Sequence, residues 1–114
     1  MQNTDDIPII KLVEQFMNGV ARNAWLENKY MKVFVRRAFH MVGTTVDNTF
    51  DIANITVKPV YQGQGYFKTL IQFVETLGLT VYVESINNIK LKEMLIKNGY
   101  TIDYTGYNAY KKFI

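Results

Sequence analysis

Two glycines one residue apart, Gly63-Gln64-Gly65, stand between Ile55-Thr56-Val57-Lys58-Pro59 and Tyr66-Phe67. Together these residues read as a strand, a tight loop and the entrance of a helix. Glycine takes left-handed backbone freely, so such a loop folds back with consecutive N–H groups converging at the positive end of the helix. That arrangement binds an anion, above all a phosphate. It is not a dinucleotide fingerprint, because Lys68 stands where a third glycine would be needed, nor a P-loop, which requires Gly-Lys followed by Ser or Thr.

Few other side chains offer reactive chemistry. The chain has no cysteine, which excludes a thiol nucleophile, disulfides and thiolate metal sites. Its single serine, Ser85, lacks the Gly-x-Ser-x-Gly elbow of an activated nucleophile. One histidine, His40, cannot build a histidine-cluster metal site, so no metal centre is expected; between Phe39 and Met41 it reads as a structural residue with some capacity as a base. Asp47, Thr49 and Asp51 begin like a calcium loop, but Ile52 occupies the place that loop reserves for glycine.

The elements that must position the glycine loop follow from spacing. Asp5 and Asp6 before Pro8 mark a helix start, and Ile9, Val13, Phe16 and Val20 recur at helical intervals. Residues 21–28, with Trp25, read as a further helical turn packed on the sheet. Residues 30–46 are rich in Val, Phe, Thr and Met, which predicts one long strand or two pieces broken near His40. Val46-Asp47-Asn48-Thr49 carries turn chemistry, and residues 50–59 follow as the second strand of an antiparallel hairpin. Phe67, Leu70, Ile71, Val74 and Leu77 then change the period to that of a helix, which Gly78 stops. Residues 79–84 form a short strand parallel to the one before the loop, through a right-handed crossover. Asn87 or Asn88 caps a last helix with Leu91, Met94 and Leu95, ended by Gly99, and residues 100–104 and 109–113 make a terminal β-hairpin.

With 114 residues, 48% of them hydrophobic and 20% charged, the chain suits one compact α/β domain over residues 1–114. A formal charge of +3 favours an anionic ligand without the basic tail of a nucleic-acid wrapper. The polar, acidic first residues, the absence of a membrane-length apolar run and the lack of cysteine together predict a cytoplasmic protein, as monomer or homodimer, with no membrane partner.

The stretch Gln62-Gly63-Gln64-Gly65-Tyr66 resembles the acyl-CoA signature of the GNAT-type N-acetyltransferases, Gln or Arg, x, x, Gly, x, Gly or Ala, with Phe67 where a small residue is usual. The segment from Asn88 to Gly99-Tyr100 is similar to that superfamily's later helix, opened by asparagine and closed by Gly-Phe or Gly-Tyr. The resemblance covers residues 50–104, and its length is similar to that of small phage-encoded members. It implies a minimal GNAT-like fold: a mixed central sheet, an acyl-CoA-binding strand-loop-helix and the terminal hairpin.

It further implies acetyl-CoA as acyl donor and direct transfer to an amine of a protein or small molecule, nucleic acid being a possible acceptor. Ile55, Thr56 and Val57 would hold the pantetheine arm as an added strand, with Asn88 reaching it from the other side. Gln62, Gly63, Gln64, Gly65, Tyr66 and Phe67 would cradle the pyrophosphate. The Val57 amide would stabilise the oxyanion, and Asp51, six residues before Val57 where some members carry a glutamate, would be the base, with Glu84 as the alternate. Leu95 stands where relatives place the tyrosine that protonates the thiolate. Tyr66, Tyr82, Tyr100 or Tyr104 could substitute, or water, or the protein binds acyl-CoA as an interaction module without transfer. A third reading, an enzyme modifying a nucleobase or tRNA amine, draws on Arg36 and Arg37 with Lys11, Lys29, Lys32 and Lys58, and on Tyr104, Tyr107 and Tyr110 as stacking residues.

Overall fold

The computed structural model describes residues 5–113; residues 1–4 and Ile114 lie outside it. Helix α1, Ile9–Asn18, turns Ile9, Leu12, Val13 and Phe16 inward, while Val20, past its end, is fully exposed. Arg37 closes this helix: its Nη2 donates to the carbonyls of Phe16 and Gly19, each at 2.7 Å, replacing partners that the last turn lacks.

Residues 21–28 are not helical. Strand β1, Asn23–Glu27, alternates instead, Leu26 buried and Trp25 53% exposed. The tryptophan lies on Phe34, ring centroids 5.0 Å apart, on the face that α1 does not cover. Strand β2, Met31–Val42, runs unbroken through His40, and β3, Thr45–Val57, returns antiparallel to it. The turn falls at Gly43-Thr44, not at residues 46–49. Gly43 has φ 63, the geometry a two-residue hairpin loop needs at its first position, and Val42 pairs directly with Thr45. Asp47 belongs to the strand, where Thr45 and Thr80 hydroxyls donate to it.

Strand β3 carries one bulge. Phe34 pairs with Asn54 but Val35 with Ile52, leaving Ala53 extra. An extra residue reverses the alternation beyond it. Phe50 and Ile52 point to the core before the bulge, and Ile55 and Val57 do so after it.

A 3-10 turn, Pro59–Tyr61, leads through the glycine loop into α2, Tyr66–Val74, which tightens over Glu75–Leu77 and stops at Gly78, φ 82. Strand β4, Thr80–Val83, lies parallel to β3, pairing from Thr49↔Thr80 to Ile52↔Val83. Helix α3, Ile89–Lys97, is capped by Asn88, whose Oδ1 accepts from the amides of Lys90 and Leu91. Strands β5, Thr101–Ile102, and β6, Ala109–Lys111, form the final hairpin, giving a mixed six-stranded sheet of order β1-β2-β3-β4-β6-β5. Helices α1 and α2 pack together over one face, with Phe16 edge-on to Phe50, and Leu95 and Tyr100 join the same apolar cluster. No helix among the described residues is long and apolar enough to cross a membrane.

Candidate functional site

Strands β3 and β4 part company after Ile52↔Val83: their last shared bond runs from the Glu84 amide to the Ile52 carbonyl, 2.9 Å, at the bulge. Beyond it residues 54–57 of β3 have no partner strand on the β4 side. The Lys58 amide donates to the Tyr30 carbonyl on the β2 side, so by the alternation of backbone direction along a strand Ile55 and Val57 present theirs to the open side. The Val57 carbonyl there accepts from Gln62 Nε2 at 3.0 Å.

The fork opens into a groove of about 660 Å³, within the range of small-molecule sites. Ile55, Thr56 and Val57 line one wall, Gln62, Gly63, Gly65, Tyr66, Phe67 and Lys68 the end, and Glu84, Ser85 and Asn88 the other wall. Of the residues expected to hold a cofactor, only Gln64 is missing, because its Nε2 turns away to the Val60 carbonyl, 3.1 Å. Gly63 and Gly65 have φ 79 and 85, and no side chain caps α2. Its first amides are therefore available to an anion, with Lys68 beside them. Asn88 also lines the groove, but its Oδ1 serves the cap, leaving the amide nitrogen to donate. Tyr66 stacks on Tyr30, 4.4 Å and 17°, and Tyr61 meets both edge-on. This burial and the neighbouring phenols hold Tyr66 protonated above its ordinary range.

Behind the fork lies a charged cluster on the sheet face opposite α1. Asp51 is 0% exposed and does not line the groove. Its Oδ2 accepts from Arg36 Nε at 2.9 Å and lies 2.8 Å from His40 Nε2, and Thr49 donates to Oδ1 at 2.6 Å. It is thus no solvated carboxylate at a turn. Arg36 also bonds Glu84 through Nη2, and His40 Nε2 is 3.7 Å from Glu84 Oε1. Burial works against the Arg36 charge, yet the two carboxylates hold its pKa above the usual value. His40 stacks flat on Tyr82, 3.9 Å and 6°, and burial, then the nearby Asp103, Glu84 and Asp51, raises the Tyr82 phenol. Glu84 is the member of this cluster that reaches the groove.

One histidine does take part in a group of metal-ligand type: atoms of His40, Asp51 and Glu84 lie within 4.8 Å of one another. The Arg36 guanidinium bonds both carboxylates, so a cationic side chain already stands there. The cluster escaped sequence reasoning because its members come from three strands. Its one local signal was Arg36 and His40 four apart on a strand, hence on one face.

The proposed thiolate acids separate. Burial, and then the hydrogen bond its hydroxyl donates to Glu75 at 2.7 Å, drives the Tyr100 pKa far up; Tyr104 is 99% exposed; and Tyr82 sits behind the fork. Arg36 and Arg37 do not form a solvated basic face, since one pairs with carboxylates and the other closes α1.

At the far end of β4, Ser85 has φ 58, the one non-glycine residue among those described with positive φ, a strain of about 1–2 kcal/mol. The final hairpin holds it there. Asn108 Oδ1 accepts from the Ser85 amide at 3.1 Å, Asp103 accepts from Asn108 Nδ2 at 2.8 Å, and the Ile86 amide donates to the Tyr107 carbonyl.

No family model and no curated protein matches this chain. Its backbone is similar to those of several solved structures. A point mutant of the AtaT toxin bound to the C-terminus of the antitoxin AtaR and acetyl-CoA superposes with TM-score 0.56 at 14% identity, over 74% of this chain and 59% of that one. The same mutant bound to the antitoxin C-terminus alone gives 0.58 at 13%, over 75% and 60%, and the KacTA-DNA complex 0.55 at 15%, over 74% and 58%. The likeness is one of fold, and the chain spans less than two thirds of the length of these structures.

Proposed function

Since this chain has the GNAT-type α/β fold, we propose that it is an acetyl-CoA-dependent N-acyltransferase acting directly on an amine. The observation that carries this reading is the fork: β3 backbone without a partner strand at Ile55 and Val57, running into the uncapped amides of α2. A pantetheine amide chain suits the first and a pyrophosphate the second. Bound there, acetyl-CoA supplies an activated acetyl thioester. The Val57 N–H faces the groove as donor to a developing oxyanion.

Glu84 is the group that takes the amine proton, being the carboxylate in the groove. Arg36 bonds both Glu84 and Asp51, and His40 lies against both carboxylates, so the three fix its position from behind. In this reading Asp51 acts through Arg36 and His40 rather than on the amine itself. With no cysteine in the chain, transfer passes directly between donor and amine.

Calorimetric titration with acetyl-CoA and with CoA tests the proposal. Saturable binding that Gly65→Glu abolishes, by placing negative charge at the phosphate site, supports it; no binding to either ligand refutes it. Thiol release with a panel of protein, small-molecule and tRNA amines then identifies the acceptor. Glu84→Gln should lower kcat by about 10²–10⁴ with unchanged acetyl-CoA affinity. Asp51→Asn should lower it less. CoA binding without turnover on any amine would leave an interaction module, the role suggested by the antitoxin-bound neighbours.

A further inference from the structure

Release of a thiolate needs a proton at sulfur, and the groove offers few hydroxyls to bring one. The hydroxyl-bearing residues lining it are Thr56, Tyr61, Tyr66 and Ser85. Tyr61 and Tyr66 are locked with Tyr30 in the aromatic cluster beside the glycine loop, where the phosphates would lie. Thr56 is on the wall opposite Glu84. Ser85 directly follows Glu84 and shares its wall.

Neighbouring residues of a regular strand point to opposite faces. Glu84 and Ser85, just past the end of β4, both line the groove, and Ser85 has left the extended region, φ 58. That conformation is held from behind by Asn108 and Asp103, so the structure maintains a strained residue at the fork.

Resting on the acyltransferase reading above, we propose that Ser85 is a further catalytic residue of this site, its hydroxyl passing to the departing sulfur the proton that Glu84 takes from the amine. The balance closes. The amine nitrogen forms a bond to the acetyl carbon and gives a proton to the Glu84 carboxylate as the carbon–sulfur bond breaks. The Ser85 O–H proton moves to sulfur while the Glu84 proton replaces it on Oγ. The products are an N-acetyl amide and CoA thiol, with Glu84 again ionised and Ser85 again a hydroxyl.

The test reads the thiol and needs no acceptor. CoA bound to wild type, Ser85→Ala and Ser85→Gly is titrated with base while thiolate is followed by its ultraviolet absorbance. The other titratable groups lining the groove are Glu84 of the β4 end, Lys68 and Tyr66 of α2, Lys90 of α3 and Tyr61 of the 3-10 turn; all remain in the variants. Loss of a hydrogen bond to the thiolate should raise its ionisation midpoint in both variants by about one pH unit, with CoA affinity at neutral pH unchanged. Ser85→Gly, free of strain at this φ, should melt no lower than wild type, which separates lost chemistry from lost fold. Equal midpoints in all three proteins would overturn the role of Ser85 while leaving the CoA site standing. Failure of wild type to bind CoA would instead remove the acyltransferase reading and this one with it.

Discussion

Two aspartates outside the Arg36-His40-Asp51-Glu84 cluster set a pH limit that can be measured. Asp47 is held below the usual carboxylate range by hydrogen bonds from Thr45 and Thr80, with Lys112 assisting. For Asp103, burial pushes upward, but hydrogen bonds from Thr105 and Asn108 outweigh it and the net shift is downward. A lowered native pKa stabilises the fold above the unfolded value and is lost as pH falls through the native one. Thermal melts should therefore be flat near neutrality and drop below the ordinary aspartate value of 3.8, and Asp103→Asn should make that drop shallower. Because Asp103 steadies Asn108, and Asn108 the Ser85 amide, acidification should also loosen the β4 end before the sheet melts.

Among elements, the bulge and the glycine loop do most to make a site. Deleting Ala53 would remove the bulge at which β3 and β4 part, leaving Phe50, Ile52, Ile55 and Val57 on one face in unbroken alternation and still in the core. We expect denaturant unfolding to change by no more than about 1 kcal/mol while CoA binding is weakened, because the strands lose the irregularity that opens the fork. Gly65→Ala should be milder. A Cβ at Gly65 meets nothing within 4 Å, so only the φ of 85 opposes it, and a cost of about 1–2 kcal/mol in the same assay is expected.

For the whole molecule, the sheet is continuous on one side of the fork and split on the other, so a ligand that bridges the split should stabilise the fold globally. At a CoA concentration 100 times its Kd, stability should rise by about 2.7 kcal/mol, a melting shift on the order of 10 °C. Gly65→Glu should show none of it. A net charge of +3 with Arg36 and Arg37 both engaged inside the fold leaves scattered lysines rather than an arginine face, and this weighs against nucleic acid as the general partner.

The local pattern by itself determined most elements. Phe67, Leu70, Ile71 and Val74 announced α2, Asn88 and Gly99 bracketed α3, and Gly63-Gln64-Gly65 marked the loop at one end of the groove, because helix period, caps and left-handed glycine are properties of neighbouring residues. The bulge was also written there, as the 2-3-2 spacing of Phe50, Ile52, Ile55 and Val57, though it went unread. Gly43-Thr44 was passed over for the more polar residues 46–49, and Trp25 suggested a helix because its aromatic partner, Phe34, lies on the next strand. What only the tertiary structure decided was the meeting of Arg36, His40, Asp51 and Glu84. Strand register sets such contacts, and no local pattern encodes that Arg36 pairs with Asp51 while Asp51 lies beside Tyr82. The same holds for Ser85, whose backbone is held by residues more than twenty positions away in a hairpin.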